Sequence, residues 1–234
     1  SSASAAPAAA ATTAPAPATP PNVILILADD LGYGDVGCYG ANKVRTPHID
    51  RLAREGRRFT DAHSASAVCT PSRYALLTGE YPFRRGLNVP VFLKQGLVID
   101  PERTTLADVM QRAGYRTACF GKWHLGFGAT TPDWNGELKP GPLELGFDYQ
   151  FDVPQNHNDI TRAFVEDHRV FGLRSARLNP GTGKLGLDAP ERDDPKTMGD
   201  LTDRAVSWLE QQAGRPAPFF LYFAPVAVHE LITP

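Results

Sequence analysis

The sequence predicts an α/β protein built around a mainly parallel central sheet. Three observations support this fold class: a continuous apolar run at Val23 to Ala28, helix-like segments with clear start and stop signals, and apolar strands that directly follow two of those helices. Strands that alternate with helices favour a sheet covered by helices on its faces. The 234 residues are enough to bury a sizeable core in one domain.

The first predicted strand lies in NVILILADD, residues 22 to 30. Its apolar run is rich in β-branched residues and has no alternating polar positions, which predicts a strand buried on both faces. The run ends on Asp29 and Asp30. Adjacent carboxylates repel each other unless a cation or a proton lies between them, and Ca²⁺ and Mg²⁺ prefer such oxygen ligands. A solvated acidic turn or a helix cap explains the same dipeptide.

Three helices are predicted from their caps and apolar faces. Thr46, followed by a proline, begins the first helix and Gly56 ends it. Thr105, with Asp108 three residues later, begins the second, which ends at Gly114. The third spans about residues 197 to 212 and carries one apolar face: Leu201, Ala205, Trp208 and Leu209. Weak periodicity between residues 126 and 195 predicts long loops there.

The strands YRTACFGKWH and FFLYFAPV follow the second and third helices, and titratable side chains lie at their ends. Lys122 and His124 are two residues apart, so an extended backbone would aim both at one face, where a cation and an imidazole suit an anionic substrate. His229 follows the other strand, and an imidazole there can protonate a leaving group. For Lys122, His124 and His229 alike, the alternative is an ordinary surface, rim or core residue without a catalytic role. Open α/β sheets bind ligands beyond the carboxyl ends of their strands.

Cys69 lies in AVCTPSRYALLTG, residues 67 to 79. Pro71 predicts a helix start, so Cys69 is expected at the positive N-terminus of a helix, where an anion is stabilised. Arg73 lies within the first turn and can hydrogen-bond to the group at position 69 or to its ligands. A buried small hydrophobe and a thiolate nucleophile are alternative interpretations of this cysteine.

Together these segments resemble the type I sulfatases of the alkaline-phosphatase-like superfamily, and above all the arylsulfatase A and galactosamine-sulfatase branch. Residues 67 to 79 are similar to the first family signature, and residues 114 to 124 to the second, with Phe120 where a smaller residue is usual. The opening strand and the TPHIDRLAREG helix also fit, so the similarity runs from about Asn22 to His229. It implies a three-layer sandwich around a mainly parallel sheet.

The resemblance implies that Cys69 is the precursor of a nucleophile. In the family, a formylglycine-generating enzyme recognises Cys-x-Pro-x-Arg and oxidises the cysteine to Cα-formylglycine, whose hydrated aldehyde is a geminal diol. One diol oxygen attacks sulfur and releases the alcohol. The second hydroxyl then loses its proton, sulfate is expelled and the aldehyde reforms. The implied substrate is therefore a sulfated small molecule or carbohydrate.

The resemblance also implies a role for each candidate site residue. Asp29, Asp30 and the formylglycine at Cys69 would bind Ca²⁺ (or Mg²⁺), and Arg73 would hold the diol. Lys122 would neutralise sulfate oxygens, and His124 would assist the elimination step. His229 would protonate the leaving alcohol, and Asn156 in VPQNHND would contact the substrate. Family members are longer and carry an Asp-Asn metal pair and a lysine beyond the position of His229. The resemblance thus implies the N-terminal portion of a longer enzyme. A phosphonate or phosphate-ester hydrolase and a truncated non-catalytic relative are the alternatives.

Composition excludes several other classes. With 24 Lys and Arg against 26 Asp and Glu, the net charge of −2 provides no basic face for nucleic acid or anionic lipid. Three cysteines without zinc or disulfide spacing predict neither a structural zinc site nor a disulfide framework. No apolar run approaches the roughly 18 residues of a membrane span. Residues 1 to 21 are predicted to be a disordered Ala/Pro-rich leader before a domain at 22 to 234, which suggests a periplasmic, secreted or lysosomal protein.

Overall fold

A computed structural model describes residues 20–156, 159–176 and 185–229. The strands are β1 (Val23–Ile26), β2 (Arg116–Lys122), β3 (Tyr149–Val153), β4 (Val165–Glu166), β5 (Arg169–Val170) and β6 (Phe219–Ala224). The helices are α1 (Pro47–Glu55), α2 (Cys69–Thr78), α3 (Leu106–Arg112) and α4 (Thr197–Gln212). Short 3₁₀ turns lie at Tyr33–Asp35, Gly37–Tyr39, Pro82–Arg85, Pro142–Leu145 and Asp194–Lys196. Of the predicted leader, residues 1–19 lie outside the described residues.

The six strands form one sheet in the order β1-β6-β2-β3-β4-β5. β1, β6, β2 and β3 run parallel to their neighbours, whereas β4 and β5 are added antiparallel at the far edge. The predicted mainly parallel sheet is confirmed. Since parallel strands end at the same edge, the segments that follow β1, β2 and β6 come close together there.

Helices cover both faces of the sheet, which gives the three layers. Tyr74 and Leu77 of α2 and Ala107 of α3 pack in one core cluster with Cys119 and Tyr222 of the sheet. The second cluster lies on the other face and joins α4 to the sheet through Leu201, Ala205, Trp208, Ala118, Phe120 and Leu221. The large side chain at Phe120 is accommodated because its ring meets Trp208 edge-on, with centroids 6.2 Å apart.

The predicted helix ends agree with the structure because their signals are local. Thr105 accepts a hydrogen bond from the Asp108 backbone N–H at 3.2 Å, and Asp108 accepts one from the Thr105 N–H at 2.8 Å, which forms a capping box. α1 begins directly after Thr46 and ends before Gly56. α4 has the predicted bounds.

β1 is not buried on both faces, so that prediction is wrong. Among the described residues β1 pairs only with β6 and forms an edge of the sheet. Ile24 and Ile26 are 50% and 58% exposed, because no described element packs on their side of the strand. α1 likewise exposes Ile49 and Leu52 and buries none of its residues. Its amphipathic pattern predicted the helix but not a partner for the apolar face.

The segment from 126 to 195 contains more structure than the long loops predicted for it. β3 lies beside β2 in the middle of the sheet, and β4 and β5 form a short hairpin. Gln150 and Asp152 interrupt the apolar pattern of β3, although both side chains are fully buried. Because of this interruption, the apolar pattern of the sequence did not predict β3.

The three cysteines are free thiols in different surroundings. Cys119 is buried in β2, and burial, followed by the nearby Asp152 carboxyl, raises the pKa of its thiol well above the usual value. Cys38 and Cys69 are half-buried. Of the helices in the described ranges, none is both long and apolar enough to cross a bilayer.

Candidate active site

Four elements bring the predicted residues to one edge of the sheet. Asp29 follows β1, Lys122 ends β2, His229 follows β6, and Cys69 is the first residue of α2. A cavity of about 340 Å³ opens at this edge. Its lining consists of residues 27–31, 64 and 66–69, together with Ser72 and Arg73.

The centre of the site is one carboxylate shared by two cations. Asp29 Oδ1 accepts a hydrogen bond from Arg73 Nη2 at 3.1 Å, and Asp29 Oδ2 accepts one from Lys122 Nζ at 2.6 Å. The three side chains are 5%, 1% and 0% exposed, in the order Asp29, Arg73 and Lys122. Backbone hydrogen bonds between Asp29 and residues 227 and 228 continue the pairing of β1 with β6 and fix the main chain of Asp29.

The electrostatics of this cluster favour an anionic ligand. Burial alone would raise the pKa of Asp29, but the charges of Arg73 and Lys122 outweigh it and hold that pKa below its usual value. Burial and then the Arg73 charge lower the pKa of Lys122, while Asp29 opposes the shift. Two cations around one ionised carboxylate leave one excess positive charge within this buried cluster, and the Asp30 carboxylate lines the same cavity.

A tight contact between β2 and β6 determines where Lys122 lies. Gly121 has φ +100°, and a Cβ at this position would lie 2.0 Å from the carbonyl oxygen of Ala224. Only glycine fits there. β2 then ends at Lys122, and His124 has φ +55°. The prediction that Lys122 and His124 project from one extended strand is therefore wrong, although both side chains are buried at the same edge.

His124 is a buried neutral imidazole. Its Nε2 lies 3.0 Å from the carbonyl oxygen of Val91, and the residue is 4% exposed. Burial, and then the charges of Lys122 and Arg73, lower the pKa of His124 to about 3. At neutral pH the ring therefore has one unprotonated nitrogen and holds no proton to release as an imidazolium.

His229, Asp30 and Asn156 lie further from the buried cluster. His229 Nε2 is 3.5 Å from Asp30 Oδ2, and these side chains are 22% and 59% exposed. Asn156 follows β3 and does not line the cavity. Its buried Oδ1 has no hydrogen-bond partner among the described residues. The structure therefore joins Asp29, Arg73 and Lys122 directly, adds Asp30 and His229 near the rim, and leaves Asn156 outside.

The predicted metal ligands fit part of a cation site. Asp29, Asp30 and Cys69 line the same cavity, and carboxylate oxygens suit Ca²⁺ or Mg²⁺. Within residues 20–156, 159–176 and 185–229, however, no three His, Cys, Asp or Glu side chains are grouped closely enough to hold a metal. Both Asp29 oxygens are also engaged by Arg73 and Lys122. The metal stays a prediction.

Sequence reasoning missed Tyr222 as a neighbour of Arg73. Arg73 Nη1 donates to the carbonyl oxygen of Lys122 at 2.6 Å and lies 3.5 Å from the Tyr222 hydroxyl. Burial raises the pKa of Tyr222 to about 12, so the phenol stays protonated. The signal was the single hydroxyl in the apolar strand FFLYFA, which pattern analysis counts simply as a strand former.

Comparison with known proteins adds an independent line of evidence. A family model described as Sulfatase matches residues 21–233. Arylsulfatase A of Bos taurus is 52% identical over 228 residues, 92% of this chain and 42% of the relative. The N-acetylgalactosamine-6-O-sulfatase of Bacteroides thetaiotaomicron is 49% identical over 154 residues, 65% of this chain and 30% of the relative.

A solved structure is similar over nearly the same range. It is described as a 6S-sulf protein from the metabolism of multiple glycosaminoglycans by Bacteroides thetaiotaomicron. The TM-score is 0.84 at 34% sequence identity, and the match covers 92% of this chain and 52% of that one. This chain thus spans from 30% to 52% of the length of these three relatives.

Proposed function

Because the chain belongs to the sulfatase family, we propose that this protein hydrolyses a sulfate ester to an alcohol and inorganic sulfate. The observation that carries the proposal is the buried cluster in which Arg73 and Lys122 share Asp29 beside a cavity lined by Cys69. Fixed cations in a water-excluded site stabilise charge that develops on an oxyanion.

The nucleophile in this proposal is the hydrated formylglycine made from Cys69. Its position as the first residue of α2 supports the role, because the positive end of a helix stabilises an attacking oxyanion. One diol oxygen forms a bond to sulfur as the bond from sulfur to the alcohol oxygen breaks. The second hydroxyl then loses its proton, its electron pair forms the C=O bond, and sulfate leaves with the electrons of the old C–O bond. Water rehydrates the aldehyde.

The charged side chains act at the two ends of the scissile bond. Lys122 binds sulfate oxygens and Arg73 holds the diol, while His229 near the rim protonates the leaving alcohol. His124 accepts the proton that the second hydroxyl loses. Removing one fixed donor of this kind typically costs about 100- to 1,000-fold in rate.

A divalent cation, Ca²⁺ or Mg²⁺, belongs to the same proposal. Asp29, Asp30 and the group at position 69 would hold it, with further ligands from outside the described residues. Its contribution when bound is to polarise a sulfate oxygen and the attacking diol. The chain's own part is to keep both carboxylates at the end of β1.

A sulfated carbohydrate is the proposed substrate class. The support is the carbohydrate named for two relatives, an N-acetylgalactosamine sulfatase and a protein of glycosaminoglycan metabolism. The cations Arg73 and Lys122 would suit any sulfate ester, so the sugar is proposed from the relatives. Asn156 is proposed as a polar substrate contact from the family resemblance alone, because it does not line the cavity.

Turnover of an aryl sulfate, compared with an aryl phosphonate of the same leaving group, tests the reaction class. We expect repeated release of sulfate and much slower phosphonate cleavage. Cys69→Ser should release at most one alcohol per molecule and no free sulfate, because an ordinary serine sulfate ester has no second hydroxyl to expel sulfate. Cys38→Ser, at another half-buried free cysteine, is the matched control and should keep wild-type turnover. Full steady-state activity of Cys69→Ser, or a preference for the phosphonate, would contradict the proposal.

A further inference from the structure

A closed ring of hydrogen bonds joins the residue after Cys69 to the buried imidazole. Thr70 Oγ1 donates to the carbonyl oxygen of His124 at 2.7 Å and accepts from the Val91 N–H at 3.1 Å. The Val91 carbonyl oxygen in turn lies 3.0 Å from His124 Nε2. Thr70 is 0% exposed, Val91 2% and His124 4%, so water does not compete for these bonds.

This ring determines which nitrogen of His124 carries the proton. A carbonyl oxygen only accepts hydrogen bonds, and a neutral imidazole has a single N–H. Nε2 must therefore be the donor to Val91, which leaves Nδ1 with a lone pair. His124 Nδ1 is buried and has no hydrogen-bond partner in the part of the chain that the structure describes. Burial, and then the charges of Lys122 and Arg73, lower the pKa of His124 and keep its imidazole neutral.

Two further contacts hold this ring of hydrogen bonds in place. The His124 backbone has φ +55°, a left-handed conformation that a non-glycine residue adopts only when its surroundings hold it there. The hydrogen bond from Thr70 to the His124 carbonyl and the one from the His124 N–H to Pro154, at 3.0 Å, provide that constraint. Gln155 Nε2 also donates to the Val91 carbonyl at 2.7 Å and fixes the orientation of that peptide.

We propose that Thr70 is a positioning residue that, through Val91, fixes His124 as the Nε2–H tautomer and so leaves the lone pair of the imidazole on Nδ1. The catalytic part of this role rests on the proposed function. In that reaction the O–H bond of the second diol hydroxyl breaks, Nδ1 takes the proton, and the freed electron pair forms C=O as the bond to sulfate breaks. The imidazolium then returns the proton to solvent.

The tautomer can be measured without any reaction. Long-range ¹H–¹⁵N spectra of protein labelled at histidine distinguish Nε2–H from Nδ1–H. Wild type and Thr70→Ser, which keeps the hydroxyl, should show only Nε2–H at His124. Thr70→Val should show a mixture. Thr78→Val removes a hydroxyl that bonds within the same helix, to the Tyr74 carbonyl at 2.6 Å, and should leave the His124 signal unchanged.

Kinetics on the same proteins test the catalytic role. With rates expressed per molecule of formylglycine, Thr70→Val should lower kcat about 10- to 100-fold with KM little changed, since only proton acceptance is impaired. Gln155→Leu, which removes the other donor to Val91, serves if Thr70→Val does not fold. It should also lower kcat with KM little changed, but by a smaller factor. An Nδ1–H tautomer in wild type, or unchanged kcat in both variants, would overturn the assignment. Absence of sulfate hydrolysis with an intact Nε2–H signal would refute the proposed function instead.

Discussion

At Asp29, a single carboxylate accepts hydrogen bonds from two buried cations. Coulomb attraction is strong there because water is excluded, and neither cation has another described carboxylate within salt-bridge distance. The charges of Arg73 and Lys122 therefore depend on Asp29 for compensation. This makes the residue structural as well as functional.

Asp29→Asn should destabilise the protein strongly. The substitution leaves two buried positive charges uncompensated, which typically costs about 3–5 kcal/mol in the free energy of unfolding. Asp30→Asn is the matched control, because Asp30 is 59% exposed and a surface carboxylate contributes about 1 kcal/mol or less. Urea unfolding of both variants measures the difference. Equal, small losses would show that Asp29 does not balance these charges.

His124 should make stability depend on pH. Its pKa is about 3 in the folded chain against 6.5 as a free side chain, so below pH 6.5 the unfolded chain binds a proton that the folded chain does not. As the pH is lowered from about 6 to about 4, the free energy of unfolding should fall by about 1.4 kcal/mol per pH unit. His124→Gln should flatten this slope in denaturant titrations, whereas His63→Gln, at an exposed histidine, should not. An unchanged slope in His124→Gln would contradict the buried neutral imidazole.

The residues of the site were easier to predict than their geometry. Cys69, Arg73, Asp29 and Lys122 were identified from their positions at strand and helix ends and from the family resemblance, and their roles stay a prediction. The Thr70 ring could not be predicted, since it depends on the Val91 carbonyl, 33 residues from the His124 side chain that it contacts. Backbone groups give no signal in a sequence.

At the scale of elements, β2 shows how one glycine places a functional side chain. The close approach of Gly121 to β6 turns the backbone just before Lys122, and the lysine then reaches Asp29. The sequence predicted β2 from its apolar pattern. It did not predict the turn, because the requirement for glycine arises from the neighbouring strand.

Gly121→Ala should destabilise the protein more than alanine substitutions at glycines that have positive φ but open space around the Cβ position. A Cβ there meets backbone atoms of Ala224, so strain adds to the unfavourable φ and the expected loss is roughly 3 kcal/mol or more. Gly114→Ala, with φ +86° and open space around its Cβ, isolates the φ effect at about 1–2 kcal/mol. Chemical denaturation compares the two. Similar losses would mean that the contact between β2 and β6 is looser than described.

Across the whole molecule, burial is uneven. The sheet centre is covered on both faces, whereas β1 and α1 present apolar side chains to solvent. The alternation of strands and helices was enough to predict the layers and the edge that carries the site. Burial of β1 could not be predicted, because an apolar run does not reveal whether a partner covers each face.

Substitutions of exposed and of buried apolar side chains should therefore lower the free energy of unfolding by different amounts. Ile26→Thr replaces an ethyl group with a hydroxyl on a side chain that is 58% exposed and should cost about 1 kcal/mol or less. Leu221→Ala, at a side chain 2% exposed in the neighbouring strand, should cost about 2–5 kcal/mol. Thermal or urea unfolding distinguishes them. A loss at Ile26 as large as that at Leu221 would show that the outer face of β1 is covered.

The central claim is that Cys69, once oxidised, lets this site turn over sulfate esters. The most direct measurement is the amount of sulfate released per molecule of protein whose residue 69 has been verified as formylglycine by mass spectrometry, after production with the maturation enzyme. We expect many sulfates per converted molecule and none from unconverted protein. Release of one sulfate or fewer per converted molecule, or equal release by protein with an unmodified thiol at Cys69, would contradict it.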